Sequence, residues 1–344
     1  MFLIPVLIGI PTFLAILIPL IRSEGARGKI VYAGAGCIMA ATVALLVSWG
    51  TQGAKSIQLY TAAEAVDHLM SIGDIFLMCL IVYMCVKYCK VIPAVLSVAQ
   101  TGLLLYVEAN TSLPEVEHMM IDWLTVLMCI IIAFVGGFIC IYTVGYMKGY
   151  HAHHKEYQDR QPFFFSMLFL FLAAMFGLVF SQSLIWMYFF WEITSVISFL
   201  MIGYTRTEEA IENSFSALWM NLLGGLGFSV AIALLAFTNG SVQLSDAVAT
   251  GAALPLACLA LAGLTKSAQL PFSTWLYGAM VAPTPSSALL HSATMVKAGV
   301  YLLLRLSPAL HDNLVGLMVS LIGGFTFNRG MGMTIGRWLD LEDI

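Results

Sequence analysis

The chain has 344 residues, 60% of them hydrophobic and 10% charged, and carries a net charge of −4. That is too little polar surface to cover a water-soluble core, and the acidic balance leaves no basic patch for nucleic acid. With a mean hydropathy of +0.92, the solvent for most of this chain is lipid.

Apolar runs of about 20 residues cross a hydrocarbon core at about 1.5 Å per residue, and on that measure the sequence predicts about eleven spans. The first lies near 2–21. It holds no basic residue before Arg22 and no small-residue cleavage site, so it is expected to be a retained helix and not a signal peptide. The others follow near 29–49, 72–86, 91–107, 122–146, 162–181, 183–203, 211–238, 252–275, 285–306 and 312–327, the third of them short. The expected fold class is all-α, a polytopic transmembrane helix bundle in the lipid bilayer.

Basic residues are distributed unequally between the two sides. Loops after odd-numbered spans hold Arg22, Arg27, Lys29, Lys87, Lys90, Lys148, Lys155, Arg160 and Arg206. Loops after even-numbered spans hold only Lys55, with Arg305 at the end of the tenth span, and segment 108–117 is acidic through Glu108, Glu115 and Glu117. Because Lys and Arg are retained in the cytoplasm, the odd loops are expected there and the N-terminus on the non-cytoplasmic side of a cell membrane.

The metal-type residues do not form a metal site. Cys85 and Cys89 are one helical turn apart, but no second pair completes a ligand set, and the seven cysteines read as small buried hydrophobes. The loop His151-Ala-His153-His154 reads as solvated, lying beside Lys148, Glu156, Asp159 and Arg160. No nucleotide loop, no cluster ligands and no nucleophile–base pair are present, so neither cofactor nor metal is expected in this chain.

The functional signal is charge at membrane depth. Glu192 sits in Trp191-Glu192-Ile193-Thr194-Ser195, Lys266 in the ninth span, and His291 and Lys297 in the tenth. A charge at a helix centre costs about 2.5–3.5 kcal/mol on insertion scales, so such groups need internal partners or water. They can lock helices as ion pairs. They can equally relay protons, because the charge state of a buried Glu or Lys responds to its neighbour and imidazole titrates near neutrality. The relay is favoured by Pro271, which removes a backbone bond just past Lys266 and is expected to break the ninth helix, since broken helices line ion sites in transporters. Asn221, Gly224, Gly225 and Gly227 in the eighth span are expected to allow close helix packing.

The run Lys266-Ser-Ala-Gln-Leu-Pro271-Phe-Ser-Thr-Trp-Leu, followed by Ala282-Pro-Thr-Pro-Ser-Ser-Ala-Leu-Leu-His291-Ser-Ala-Thr-Met-Val-Lys297-Ala-Gly-Val-Tyr, closely resembles the antiporter-like subunits of respiratory complex I. Trp191-Glu192 and Tyr142-Thr-Val-Gly-Tyr146-Met fit the same pattern in the expected order. Related subunits occur in energy-converting membrane-bound [NiFe] hydrogenases and in multisubunit Na⁺/H⁺ antiporters. The resemblance covers roughly residues 120–325, and implies a division into N-terminal helices (1–120), a proton-channel repeat (121–327) and a polar tail (328–344). It implies that Glu192 and Lys266 form the channel's charge pair, that His291 passes protons onward and that Lys297 is an accessory. It also implies that redox chemistry belongs to other membrane and peripheral subunits of a multisubunit complex.

Two departures qualify this. The eighth span lacks the Arg and Asp frequent in complex I members and has Asn221-Leu-Leu-Gly-Gly225 instead. With four spans ahead of the Tyr142 helix, this leans toward the hydrogenase-type relatives. The polar, Gly-rich segment from Asn328 stands where the family's second repeat is expected, so much of that repeat is expected to be missing. The readings that follow are a proton-translocating subunit of a redox-driven complex, a Na⁺/H⁺ antiporter subunit, and a non-conducting scaffold.

Overall fold

The computed structural model describes residues 3–59, 64–111 and 118–341, and their side chains except at 58–59, 64–65, 292–293 and 330–341. Glu115 and Glu117 of the acidic segment and the end of the tail, 342–344, fall outside the described residues. In chain order the elements are α1 (Leu3–Leu17), α2 (Glu24–Thr51), strand β1 (Ile57–Leu59), α3 (Glu64–Lys87), α4 (Val91–Asn110), strand β2 (Met119–Ile121) and α5 (Trp123–Ile131). A π-helical turn at Ile132–Gly136 joins α5 to α6 (Gly137–His153), and α7 (Gln161–Phe180), α8 (Leu184–Ile202) and α9 (Glu208–Asn239) follow. After the short α10 (Leu244–Thr250) come α11 (Ala253–Lys266), α12 (Thr274–Gly278), α13 (Thr284–Ala288), a second π-helical turn at Leu289–Ala293, α14 (Met295–Leu310) and α15 (Leu314–Leu341). Among the described residues nine segments are long and apolar enough to cross a bilayer, and Ala253–Lys266 and Leu314–Arg329 are shorter apolar helices. The architecture is the expected polytopic helical bundle.

Burial divides the spans. Over their most apolar stretches α7 is 83% buried, α8 78% and α9 72%, whereas α1, α2 and α4 are 33% buried and α3 22%. A helix apolar all round but enclosed by protein is central, and one with an outward apolar face is peripheral and meets lipid. Of the cysteines, Cys85, Cys129 and Cys140 are buried, but Cys37 and Cys79 are exposed on α2 and α3, where an apolar thiol is equally at home in lipid, and Cys89 is exposed in the loop between Lys87 and Lys90. Several boundaries differ from the sequence reading: α6 runs to His153 and α15 to Leu341, past the expected ends near 146 and 327. α3 begins at Glu64 rather than near 72, so Asp67 and Asp74 lie inside it. The apolar run looked short because these acids interrupt it, yet a polar residue turned toward the bundle does not end a helix. α11 stops at Lys266 itself, ahead of Pro271.

One end of the bundle is closed by the antiparallel pair β1–β2, with Ile57 opposite Ile121, and by bridges from Met119 to Ser181 and from Ser183 to Gln243. The opposite end carries the basic loops: Lys90 pairs with Glu212 at 3.8 Å, and Arg160 donates to the Tyr204 carbonyl. The three histidines there serve three different partners. His151 meets the Tyr204 hydroxyl at 3.0 Å, His153 the Gly149 carbonyl at 2.8 Å, and His154 Glu156 at 3.0 Å. The first two belong to the last turn of α6 and not to a loop.

A clamp ties α5 to α14 at the β-strand end. Asp122 caps α5 by accepting from the Thr125 amide at 2.9 Å. Arg305 grips the same carboxylate with both terminal nitrogens, one of them at 2.8 Å, and also reaches Thr125 Oγ1 at 2.7 Å and the Tyr301 hydroxyl at 2.9 Å. Burial pushes the Asp122 carboxyl up, but the hydrogen bonds from Arg305 and Thr125 outweigh it and hold the group below its ordinary 3.8. A depressed carboxyl stabilises the fold above its unfolded value and loses that contribution as the pH falls through its folded value. Arg305→Met is therefore expected to lower stability in detergent by about 1–3 kcal/mol. Thermal unfolding should show the full difference from wild type above pH 3.8 and a narrowing one below it.

Candidate functional site

The centre of the bundle is built on two adjacent residues of α8. The Trp191 carbonyl lies one turn above hydroxyl residues that fold back on it, Thr194 Oγ1 at 2.8 Å and Ser195 Oγ at 3.1 Å. Hydroxyls in this position bond the preceding turn and keep their lone pairs available. Lys266 uses them: its Nζ donates to the Trp191 carbonyl at 3.0 Å and to Ser195 Oγ at 2.8 Å. The same nitrogen stands 4.8 Å from the centroid of the Trp191 ring, a cation–π distance. Lys266 is 0% exposed.

Lys266 reaches this point because α11 ends there. The freed backbone is satisfied by other elements, as it must be at membrane depth. Trp275 Nε1 of α12 donates to the Thr265 carbonyl at 3.0 Å, and the Leu270 amide, before Pro271, donates to Thr326 Oγ1 of α15 at 3.1 Å. Ser267 Oγ donates to the Val296 carbonyl of α14 at 3.2 Å.

Glu192 is 3% exposed and follows Trp191 directly, yet no Lys266–Glu192 contact falls within 4.0 Å. Its partner is neutral: Gln100 Nε2 of α4 donates to Oε2 at 2.8 Å. The other carboxyl oxygen, Oε1, and Gln100 Oε1 are buried with no hydrogen-bond partner. Both abut Gly225 of α9, where an added Cβ would lie 2.5 Å from Glu192 Oε1 and 2.6 Å from Gln100 Oε1. One residue earlier, a Cβ at Gly224 would lie 2.0 Å from Thr265 Oγ1. The glycine pair thus lets α9 approach α8 on one side and α11 on the other. Asn221, one turn from Gly225, is buried with its Oδ1 unpartnered.

The other two sequence-predicted residues are not drawn into this cluster. His291 lies in the second π-helical turn, partly buried, with Nε2 lacking a partner. That turn packs against the first π-helical turn at Ile132–Gly136, and π-helical turns recur at functional sites. Lys297 is exposed on α14. Gln100, Tyr188 and Asp74 were missed. Gln100 and Tyr188 carry no formal charge and so give no signal in an apolar run. Asp74 was hidden at the edge of a span drawn too short.

The chain is similar to known proteins over much of its length. Residues 181–336 match the family described as NADH:quinone oxidoreductase/Mrp antiporter, TM, and residues 118–158 match the N-terminal region of chain 5 of NADH-ubiquinone oxidoreductase (complex I). A Staphylococcus aureus (strain JH9) protein named as an antiporter subunit, mnhA2, is 35% identical over 251 residues, 68% of this chain and 30% of that protein. The strain USA300 protein of the same name is 34% identical over the same shares. The chain thus spans about 30% of the length of the curated relatives it matches. Among solved structures, the Mrp complex from Dietzia sp. DQ12-45-1b aligns with a TM-score of 0.52 at 28% identity, covering 74% of this chain and 29% of that one. The archaeal membrane-bound sulfane sulfur reductase, a respiratory membrane complex, shares the fold with a TM-score of 0.64 at 16% identity, over 87% of this chain and 51% of that one. The chain belongs to the antiporter-like membrane-subunit family common to NADH:quinone oxidoreductases and Mrp antiporters.

Proposed function

We propose that this chain is a proton-translocating membrane subunit of a redox-driven complex of the energy-converting hydrogenase type, and that Glu192 and Lys266 are the switchable pair. The observation that carries the relay is the bonding of Lys266. Its amine is fully buried, has no carboxylate within 4.0 Å, and rests on a carbonyl and a hydroxyl. Ser195 can accept from an ammonium or turn its proton toward a neutral amine, so both charge states of Lys266 keep a hydrogen bond. Glu192 is similarly prepared. As a carboxylate it accepts from the Gln100 amide; once protonated it can donate to Gln100 Oε1, the unpartnered oxygen across Gly225. Two groups within electrostatic reach but outside ion-pair contact, each with partners for both charge states, can exchange charge without first breaking an ion pair. His291 is the proposed exit group, and Lys297, on the outer surface, an accessory.

Membership in the family supports ion movement, and the Mrp likeness at 28% identity supports a place among other membrane and peripheral subunits. The hydrogenase-type reading is supported by the four spans ahead of the Tyr142 helix and by the uncharged Asn221 stretch. The basic end is proposed to face the cytoplasm by the retention rule. A second reading, a Na⁺/H⁺ antiporter subunit, is favoured by the names of the relatives matched.

In membrane vesicles carrying the chain with its native partner subunits, Lys266→Met and Glu192→Gln are each expected to slow coupled proton movement by about 10–100-fold. Unchanged movement in Lys266→Met would leave the scaffold as the function. A rate that depends on sodium in the wild type would select the antiporter reading. Gly225→Ala places a methyl against both unpartnered oxygens, and is expected to cut the rate by about tenfold or more while the chain still inserts and assembles.

A further inference from the structure

Asp67, Ser71, Asp74 and Glu108 have no part in the Glu192–Lys266 exchange, and they line up toward Glu192. On α3, Asp67, Ser71 and Asp74 follow at i, i+4 and i+7 and share one helix face, rising about 10 Å from the β-strand end toward the bundle centre. On α4, Gln100, Leu104 and Glu108 form the facing stripe. Ser71 Oγ joins the two, lying 2.9 and 3.1 Å from the oxygens of Glu108. Asp67 opens to the β-strand end, where its side chain is 45% exposed, and is held by Trp186 Nε1 and by His118 at 3.8 Å.

The inner end is closed and polar. Asp74 is 8% exposed with Oδ1 unpartnered, and Tyr188, one turn before Glu192 on α8, is 0% exposed. Asp74 is within electrostatic reach of both Glu108 and Glu192, and the Tyr188 hydroxyl of both Asp74 and Glu192. The backbones fit closely here: a Cβ at Gly73 would lie 2.6 Å from the Phe189 ring. Asp74 Oδ1, Gln100 Oε1 and Glu192 Oε1 are buried without partners, the last two meeting at Gly225, and the Tyr188 hydroxyl lies beside the Gln100 amide at the head of the acidic stripe. Unpaired buried oxygens are costly, and water or a proton is what satisfies them. The titratable groups facing Asp74 are Glu108 on α4 with Asp67 and the exposed His68 near it on α3, Tyr188 and Glu192 on α8, and beyond Glu192 Lys266 on α11.

We propose that the α3–α4 pair is a proton access route from the β-strand end, running Asp67, Ser71–Glu108, Asp74 and Gln100 to Glu192 through bound water. It rests on the relay reading, since its destination is Glu192. Each step is a proton passed between carboxyl oxygens by way of a hydroxyl or water, with no bond to carbon made or broken.

The test compares Asp74→Asn and Asp74→Glu with Lys266→Met in vesicles carrying the native subunits. It also probes Ser71→Cys and Asp74→Cys, in a background with the seven native cysteines replaced by serine, using 2-aminoethyl methanethiosulfonate from the β-strand side. Phe76→Cys, on the lipid-facing surface of α3, is the control. Asp74→Asn is expected to slow proton movement by about tenfold and Asp74→Glu to restore at least half of it. Ser71→Cys and Asp74→Cys should react with the charged reagent while Phe76→Cys stays inert. A wild-type rate in Asp74→Asn overturns the route, as do inert cysteines at 71 and 74 even if that rate is low. If Asp74→Asn is active and Lys266→Met is not, the route fails and the relay stands. If Lys266→Met is active, the relay itself fails.

Discussion

The amine of Lys266 is the group around which the rest of the bundle is organised. A cationic side chain with no access to water and no carboxylate in contact must be held by dipoles, and α8 supplies them as the Trp191 carbonyl, the Ser195 hydroxyl and the indole face. That demand fixes the surroundings. α11 must end at this residue for the side chain to reach α8, and the unwound backbone beyond it must find partners in Trp275 and Thr326. α9 must come close to both neighbours, which leaves no room for a Cβ at residues 224 and 225.

A neutral amide beside Glu192 has a consequence that a cation there would not have. An arginine or lysine at residue 100 would lock Glu192 in its charged form. Gln100 offers a donor and an acceptor together, so the carboxyl can change state with a partner in either one. Lys266 and Glu192 each bond to another partner rather than to one another, and in the proposed relay that absence of an ion contact lets the two charges change in turn.

The two ends of the bundle differ in kind. At the β-strand end Asp122, Thr125, Tyr301 and Arg305 form a bidentate clamp continued by the bond from Tyr301 to the Val179 carbonyl at 2.7 Å, which joins α5, α7 and α14 beside the central cluster. The basic end relies on longer and more exposed contacts such as Lys90–Glu212, and contributes charge asymmetry more than rigidity.

The sequence alone determined the bundle, because spans of this length and hydrophobicity have no stable alternative to a helix in lipid. It also singled out Glu192 and Lys266, since a charge inside an apolar run is conspicuous whatever it faces. It did not reveal that α11 stops at Lys266, because a proline five residues later marks a break without fixing where the preceding turn unwinds. Nor did it show that Lys297 faces outward, for a helix position has no inward or outward side until neighbours pack on it. Gln100 and Tyr188 carry no formal charge and stand out in no linear pattern, and Asp74 shortened the span that contains it. Tyr188 stands one turn before Glu192 on the same helix, but only the packing of α3 and α4 on α8 and α9 brought Gln100 and Asp74 toward it, and the low dielectric that makes a neutral oxygen matter exists only once the helices have closed around it.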